Sequence, residues 1–213
     1  MKNLTFYSFL LAVSLLTETL IMAQVRFGAK AGVNVSSIAL PLNGYGPRIG
    51  YKLGVMADIG LSSRFSIQPN LLFSSKGVVY KTEERDASGL YIETIRTKLN
   101  LNYLEVPILV VYKHPLRNGA KLFAGMGPYM GIGIFGYSKM NGYDKWKVSF
   151  DSNPRQDVLS FLPFDFGLST SIGIETRKFS FGVDFNNGIK PLAHNTKNYN
   201  NTLSLTAGYF ICR

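Results

Sequence analysis

From Val25 to Ser36 the chain reads VRFGAKAGVNVS, and every second residue is apolar: Val25, Phe27, Ala29, Ala31, Val33 and Val35. Between them stand Arg26, Gly28, Lys30, Gly32, Asn34 and Ser36. A period of two belongs to an extended strand, whose side chains leave alternately on opposite faces. The alternation returns in seven more segments, at about 49–61, 64–78, 97–113, 121–136, 163–175, 178–186 and 202–211. Each has the roughly 9–11 residues that a tilted strand needs to cross a bilayer, and some run longer. The first strand is expected to pair with the last and close the sheet.

The connections alternate as well. Residues 37–48, 79–96, 137–162 and 187–201 are long, whereas Ser62-Ser63, 114–120 and Thr176-Arg177 are short. In an up-and-down barrel all the long loops then emerge at one end, which is the habit of outer-membrane barrels with short periplasmic turns and longer external loops. Residues 79–98, VYKTEERDASGLYIETIRTK, predict a hairpin that carries the third and fourth strands above the membrane. The longest loop holds Trp146, Tyr137 and Tyr143 with Lys139, Lys145 and Lys147, a mixture suited to lipid headgroups or to a polysaccharide or protein ligand.

An apolar face can line a dry core or meet lipid, and the other face decides between them. The apolar faces carry no charge on any strand, for example Tyr51, Leu53, Val55, Ala57 and Ile59, or Leu104, Val106, Ile108, Val110 and Tyr112. Gly28, Gly32, Gly54, Gly125, Gly131, Gly133, Gly167, Gly182 and Gly208 instead share the face of the charged residues. A water-exposed sheet has no steric reason to be so small on that side. The interior of an eight-stranded barrel does, because side chains just fill it. The inward set is then Arg26, Lys30, Lys52, Asp58, Lys76, Glu105, Asp165, Glu175 and Asp184, with both signs present so that charges pair. Arg26 and Lys30 should lie near Asp58, Asp165 or Asp184. Hydrocarbon offers no hydrogen bonds, so a spanning sheet must close on itself. Pro69, Pro107 and Pro128 each remove a donor, and a bulge or kink is expected at each.

Residues 1–23 carry Lys2, an apolar run from Leu4 to Leu16 and a segment ending in Ala23, the pattern of a cleaved secretory signal peptide. Residues 24–213 then form one barrel domain. The formal net charge of +10 raises nucleic acid as a partner, but Lys and Arg are scattered singly and no basic cluster supports it. A single cysteine, Cys212, excludes a disulfide framework.

Chemistry has few candidates. The two histidines are His114, beside Pro115 in a short turn, and His194 in the last long loop, where Asp157 and Ser160 of the longest loop could approach it. No metal-ligand spacing and no phosphate-cradling glycine loop occurs, so no catalytic, cofactor or metal residues are assigned. A rim hydrolase or acyltransferase using His194 stays open as an alternative.

Six stretches carry a family likeness: FGAKAGVNVSSI (27–38), GYKLGVMADIGLSSRFSIQPNLLFSSKG (50–77), LNYLEVPILVVY (101–112), AGMGPYMGIGI (124–134), FDFGLSTSIGIE (164–175) and LSLTAGYF (203–210). In order and spacing they resemble the PorT-like outer-membrane β-barrel family of Bacteroidetes. The resemblance implies an eight-stranded antiparallel up-and-down transmembrane β-barrel in the outer membrane. It also implies a second reading, an accessory role in a type IX-like protein secretion apparatus. Barrels of this kind usually end on an aromatic residue that assists insertion, whereas here Ile211-Cys212-Arg213 follow Phe210. The expected function is an integral, non-enzymatic barrel with a structural or partner-binding role. Its N-terminus is periplasmic and its long loops external. Its partners are outer-membrane lipid and lipopolysaccharide, with other envelope or secretion proteins beyond them.

Overall fold

In a computed structural model of the protein, residues 25–38, 45–141, 145–151, 160–192 and 198–211 are described, and they form ten strands. These are β1 (Val25–Ile38), β2 (Tyr45–Gly60), β3 (Phe65–Arg85), β4 (Tyr91–Pro115), β5 (Lys121–Met140), β6 (Lys145–Phe150), β7 (Ser160–Phe161), β8 (Phe164–Glu175), β9 (Phe179–Gly188) and β10 (Asn200–Ile211). Antiparallel pairing runs β1-β2-β3-β4-β5-β8-β9-β10 and returns to β1, so the sheet closes on itself. The seam aligns Phe27 with Ile211 and Ile38 with Asn200. The ring therefore has eight strands, and the described residues hold two more. Both extra strands lie in the stretch expected to be the longest loop: β6 pairs with the far end of β5, and β7 lies parallel to β6.

The barrel is inside-out. Lys76 and Glu105 are 0% exposed, whereas Ile49 is 74% and Leu205 69% exposed. Phe27, Leu53, Val110, Met126, Ile172 and Phe181 all stand outward in the same way. Such a continuous apolar exterior is far larger than the patches a water-soluble monomer tolerates. The pleat explains how one sequence makes both surfaces, since i and i+2 share a face and i+1 takes the other.

At one end the turns are tight. Leu61 and Ser62 amides both donate to the Phe65 carbonyl, and Thr176 closes its turn through Phe179. At the other end β3 and β4 continue past the wall as a two-stranded ribbon, Lys81 opposite Arg96 and Glu83 opposite Thr94. Its tip, Asp86-Ala87-Ser88-Gly89, is built by the Asp86 carboxylate, which accepts from the Ser88 and Leu90 amides at 2.9 and 2.8 Å. The hydrogen bond from the Ser88 hydroxyl and those from backbone amides hold this carboxyl below the usual aspartate range. Gly89 sits at φ 83°, the left-handed region that glycine enters without strain.

Pro69, Pro107 and Pro128 do not insert bulges. Pro69 faces Ile108 and the ladder resumes at Leu72 and Glu105, three residues on along each strand, so the register passes through unchanged. The same holds between Pro107–Tyr129 and Val110–Met126, while Pro128 stays in register with Leu168. A missing N–H interrupts a ladder without requiring an extra residue, and each proline falls in a different gap: Pro69 between β2 and β3, Pro107 between β3 and β4, and Pro128 between β4 and β5. Register shifts occur elsewhere, between Pro47 and Lys52, at Glu84/Arg85 and at Asn102/Tyr103.

Candidate functional site

The barrel interior is where the polar chemistry collects, and it is ordered in three levels. Nearest the tight turns, Arg26 donates to Asp58 and, at 2.5 Å, to Glu175. Lys113 bridges the same two carboxylates, 2.7 Å from Asp58 and 3.1 Å from Glu175. The ring of Phe210 lies 4.1 Å beneath the Arg26 guanidinium, so this late aromatic faces the lumen while Tyr209 and Ile211 face out. Midway, Lys30 reaches Asp184 at 2.8 Å, Lys52 stands 3.7 Å from the same carboxylate, and the Ser171 hydroxyl donates to it at 2.6 Å. Above them Lys76 lies between Glu105 and Asp165. Asn200 and the Tyr129 hydroxyl donate to Asp165 at 2.9 and 3.3 Å, and Asn186 donates to Glu105 at 3.4 Å. The Lys76 ammonium also stands over the Tyr129 ring, at 4.9 Å.

Arg26, Lys30, Lys52, Lys76 and Lys113 oppose Asp58, Glu105, Asp165, Glu175 and Asp184, five against five, so these levels sum to zero charge. Full neutralisation by close partners is what lets ions stay in a space with little water. Lys113 is absent from the inward set that the sequence suggested, although it shares odd-numbered parity with Glu105 on β4. It is the last residue of the fourth alternating segment, 97–113, with the short connection beginning at His114.

The two mouths differ. Towards the tight turns the lumen opens into a cavity of about 730 Å³, lined by Arg26, Asp58, Lys113, Glu175, Lys121 and Arg177. Towards the long loops it is stopped by an apolar cluster of Ile38, Val78, Leu99, Leu101, Tyr103, Val148 and Leu192, with Phe150 and Phe161 packed on it. β6 supplies the stopper. Val148 lies opposite Gly136, and Phe150 stands edge-on to Tyr103 with ring centroids 5.4 Å apart. Gly133 makes this possible, because a Cβ there would come within 2.2 Å of the Phe150 ring. Hydrogen bonds from the Gly133 amide to the Pro163 carbonyl and from the Leu162 amide to the Leu192 carbonyl, at 2.7 and 2.8 Å, hold the returning chain over the mouth.

Of the residues weighed for catalysis, Ser160 lies in β7 while His194 and Asp157 lie outside the described residues, as do residues 1–23, Tyr143 and Cys212. Among the described residues no three His, Cys, Asp or Glu side chains come together as a metal site.

Solved structures with similar folds include Ail, the attachment invasion locus protein of Yersinia pestis, at 12% identity and TM-score 0.44, covering 88% of this chain and 99% of that one. Neisserial surface protein A matches at 12% identity and TM-score 0.46, covering 88% and 97%. OprG of Pseudomonas aeruginosa matches at 12% and 0.41, covering 89% and 95%. A search of curated proteins returned no match. The model of the outer membrane protein beta-barrel domain family, in contrast, matches residues 20–194, most of the chain, and the protein belongs to that family of outer-membrane barrels.

Proposed function

We propose that this outer-membrane barrel is non-catalytic, that its interior is a structural strut and not a conduit, and that its long-loop end presents a surface to envelope partners. One observation carries the reading: the lumen combines an interlocked ion-pair network with an apolar stopper at one mouth. An eight-strand ring has no channel to spare once its inward side chains are in place. Placing residues 1–23 as a signal peptide puts the N-terminus and tight turns in the periplasm and the long loops outside. The test is electrical. The barrel refolded into a planar bilayer, its closure checked by the heat-dependent shift in gel mobility, is expected to give no current steps above bare lipid. Stable unitary currents would refute the strut.

A second reading, an accessory role in protein secretion, is favoured by the six stretches that resemble PorT-like barrels, from FGAKAGVNVSSI to LSLTAGYF. Crosslinking in native membranes is expected, on that reading, to recover subunits of a secretion apparatus. Recovery of lipid and barrel alone argues against it.

A further inference from the structure

We infer that a row of lysines on the outward face of β4, β5 and β6 is a clamp for phosphate groups on the saccharide of an outer-leaflet glycolipid. The registers put Lys98 opposite Lys139, and Lys139 opposite Lys145. Residues directly opposite on antiparallel strands share a face, with Cβ atoms about 5 Å apart. Lys147 follows on that face opposite Tyr137, and all four lysines are exposed. Among the described residues none of the four forms an ion pair, and the pair recorded in the adjoining ribbon joins Arg85 to Glu83. Like charges set opposite one another destabilise a sheet. Acids stand elsewhere on the ribbon, so its composition does not force this arrangement, and an external anion would relieve the repulsion.

Position names the anion. The inner side of the same strands carries Leu99, Leu101 and Val148 of the stopper, so the lysines point away from the lumen and continue the wall that faces lipid. On β5 the last exposed apolar residue is Phe135, with Tyr137 next on the outward side and Lys139 beyond it. Tyrosine at that height marks the membrane interface. The Lys145 ammonium stands 5.2 Å from the Tyr137 ring centroid, tying the row to that belt. Four residues from Phe135 to Lys139 span about 13 Å of strand, or roughly 10 Å of height at the usual barrel tilt. The headgroup layer adds only about 5–8 Å to each side of the hydrocarbon. Lys98, Lys139 and Lys145 therefore stand above the phosphates of simple phospholipids, at the height of phosphates borne on sugars, with Lys147 below them level with Tyr137. A free polyanion would be met at the ribbon tip, which is instead neutral-mixed and carries Leu90, Tyr91 and Ile92.

This inference rests on the proposed outer-membrane setting with the long loops outside, and its test separates the two. The barrel is refolded into phosphatidylcholine vesicles alone, or doped with lipopolysaccharide, with dephosphorylated lipopolysaccharide, or with phosphatidylglycerol. The temperature at which the folded gel band disappears is measured. Lipopolysaccharide should raise it for the native chain. The triple variant K98Q/K139Q/K145Q should lose the rise, binding about a hundredfold more weakly, from the contribution of each basic residue near an anionic surface. In plain phosphatidylcholine the triple variant should be at least as stable as the native chain, which a merely structural role would not allow. The matching arginine triple should keep the response. An equal rise in native and glutamine variants, with dephosphorylated lipid, with phosphatidylglycerol, or with a soluble sulfated polysaccharide in its place, overturns the clamp. Doped lipid occupies both leaflets, so the result does not depend on orientation in the cell, which protease treatment of the ribbon tip on intact cells reports separately.

Discussion

Lys76→Ala should be the most damaging single change in this barrel. It removes the cation between Glu105 and Asp165, each within 1% of complete burial, and leaves two carboxylates sharing a space without a counter-charge. Breaking a buried pair from one side costs about 3–5 kcal/mol, mostly from the stranded partner. The loss is expected as a lower urea midpoint for the barrel refolded in vesicles. Replacing the whole set at once, with K76M/E105Q/D165N, removes the charges together and should recover most of that stability, because the desolvation cost disappears with the attraction. If the triple variant is as unstable as the single one, ion pairing at this level is not what fills the lumen.

The second large effect is expected at Gly133, and it is conditional. Gly133→Ala drives a methyl group against the Phe150 ring, which must shift from its edge-on seat against Tyr103. Overpacking of this kind costs about 1–3 kcal/mol. The stopper should also loosen, so that protease cleaves between β5 and β8 in vesicles where the native chain resists. In a Phe150→Ala background the clash has no partner, and adding Gly133→Ala should cost less than about 0.5 kcal/mol. Additive costs in the double variant would show that Phe150 does not close the mouth through Gly133.

Much of the barrel could be read from alternation, because a strand that divides lipid from lumen must alternate over its whole length. Val25 to Ser36 needed only its parity to be placed, and its pairing with β10 follows from closure. What escaped were features that alternation does not encode. Lys113 is the last residue of its alternating segment, near the end of β4, where alternation alone does not say whether a long side chain turns back into the lumen or out past the rim. The strand β6 is six residues long, and KWKVSF is too brief for its period to stand out from a loop. Its inward Val148 and Phe150 matter only because the chain folds back over Gly133 and Gly136, a long-range fact that no local pattern carries. The prolines misled in the opposite direction. The missing donor suggests a bulge or a kink, and of the two the bulge does not form: each of the three ladders leaves the rungs beside its proline unpaired and resumes in the same register.

The seam between β1 and β10 joins Phe27 to Ile211, nearly the whole described length of the chain apart. Until β10 has been delivered, both margins of the sheet remain open, and every backbone donor along them lacks a mate in hydrocarbon. Closure is thus the last event and an all-or-none one, with the contacts of greatest sequence separation made at the end. A chain stopped before Asn200 gains no smaller barrel in exchange. It is left with an unsealed edge, which is the form that envelope chaperones and proteases can tell from a finished product without reading its sequence at all.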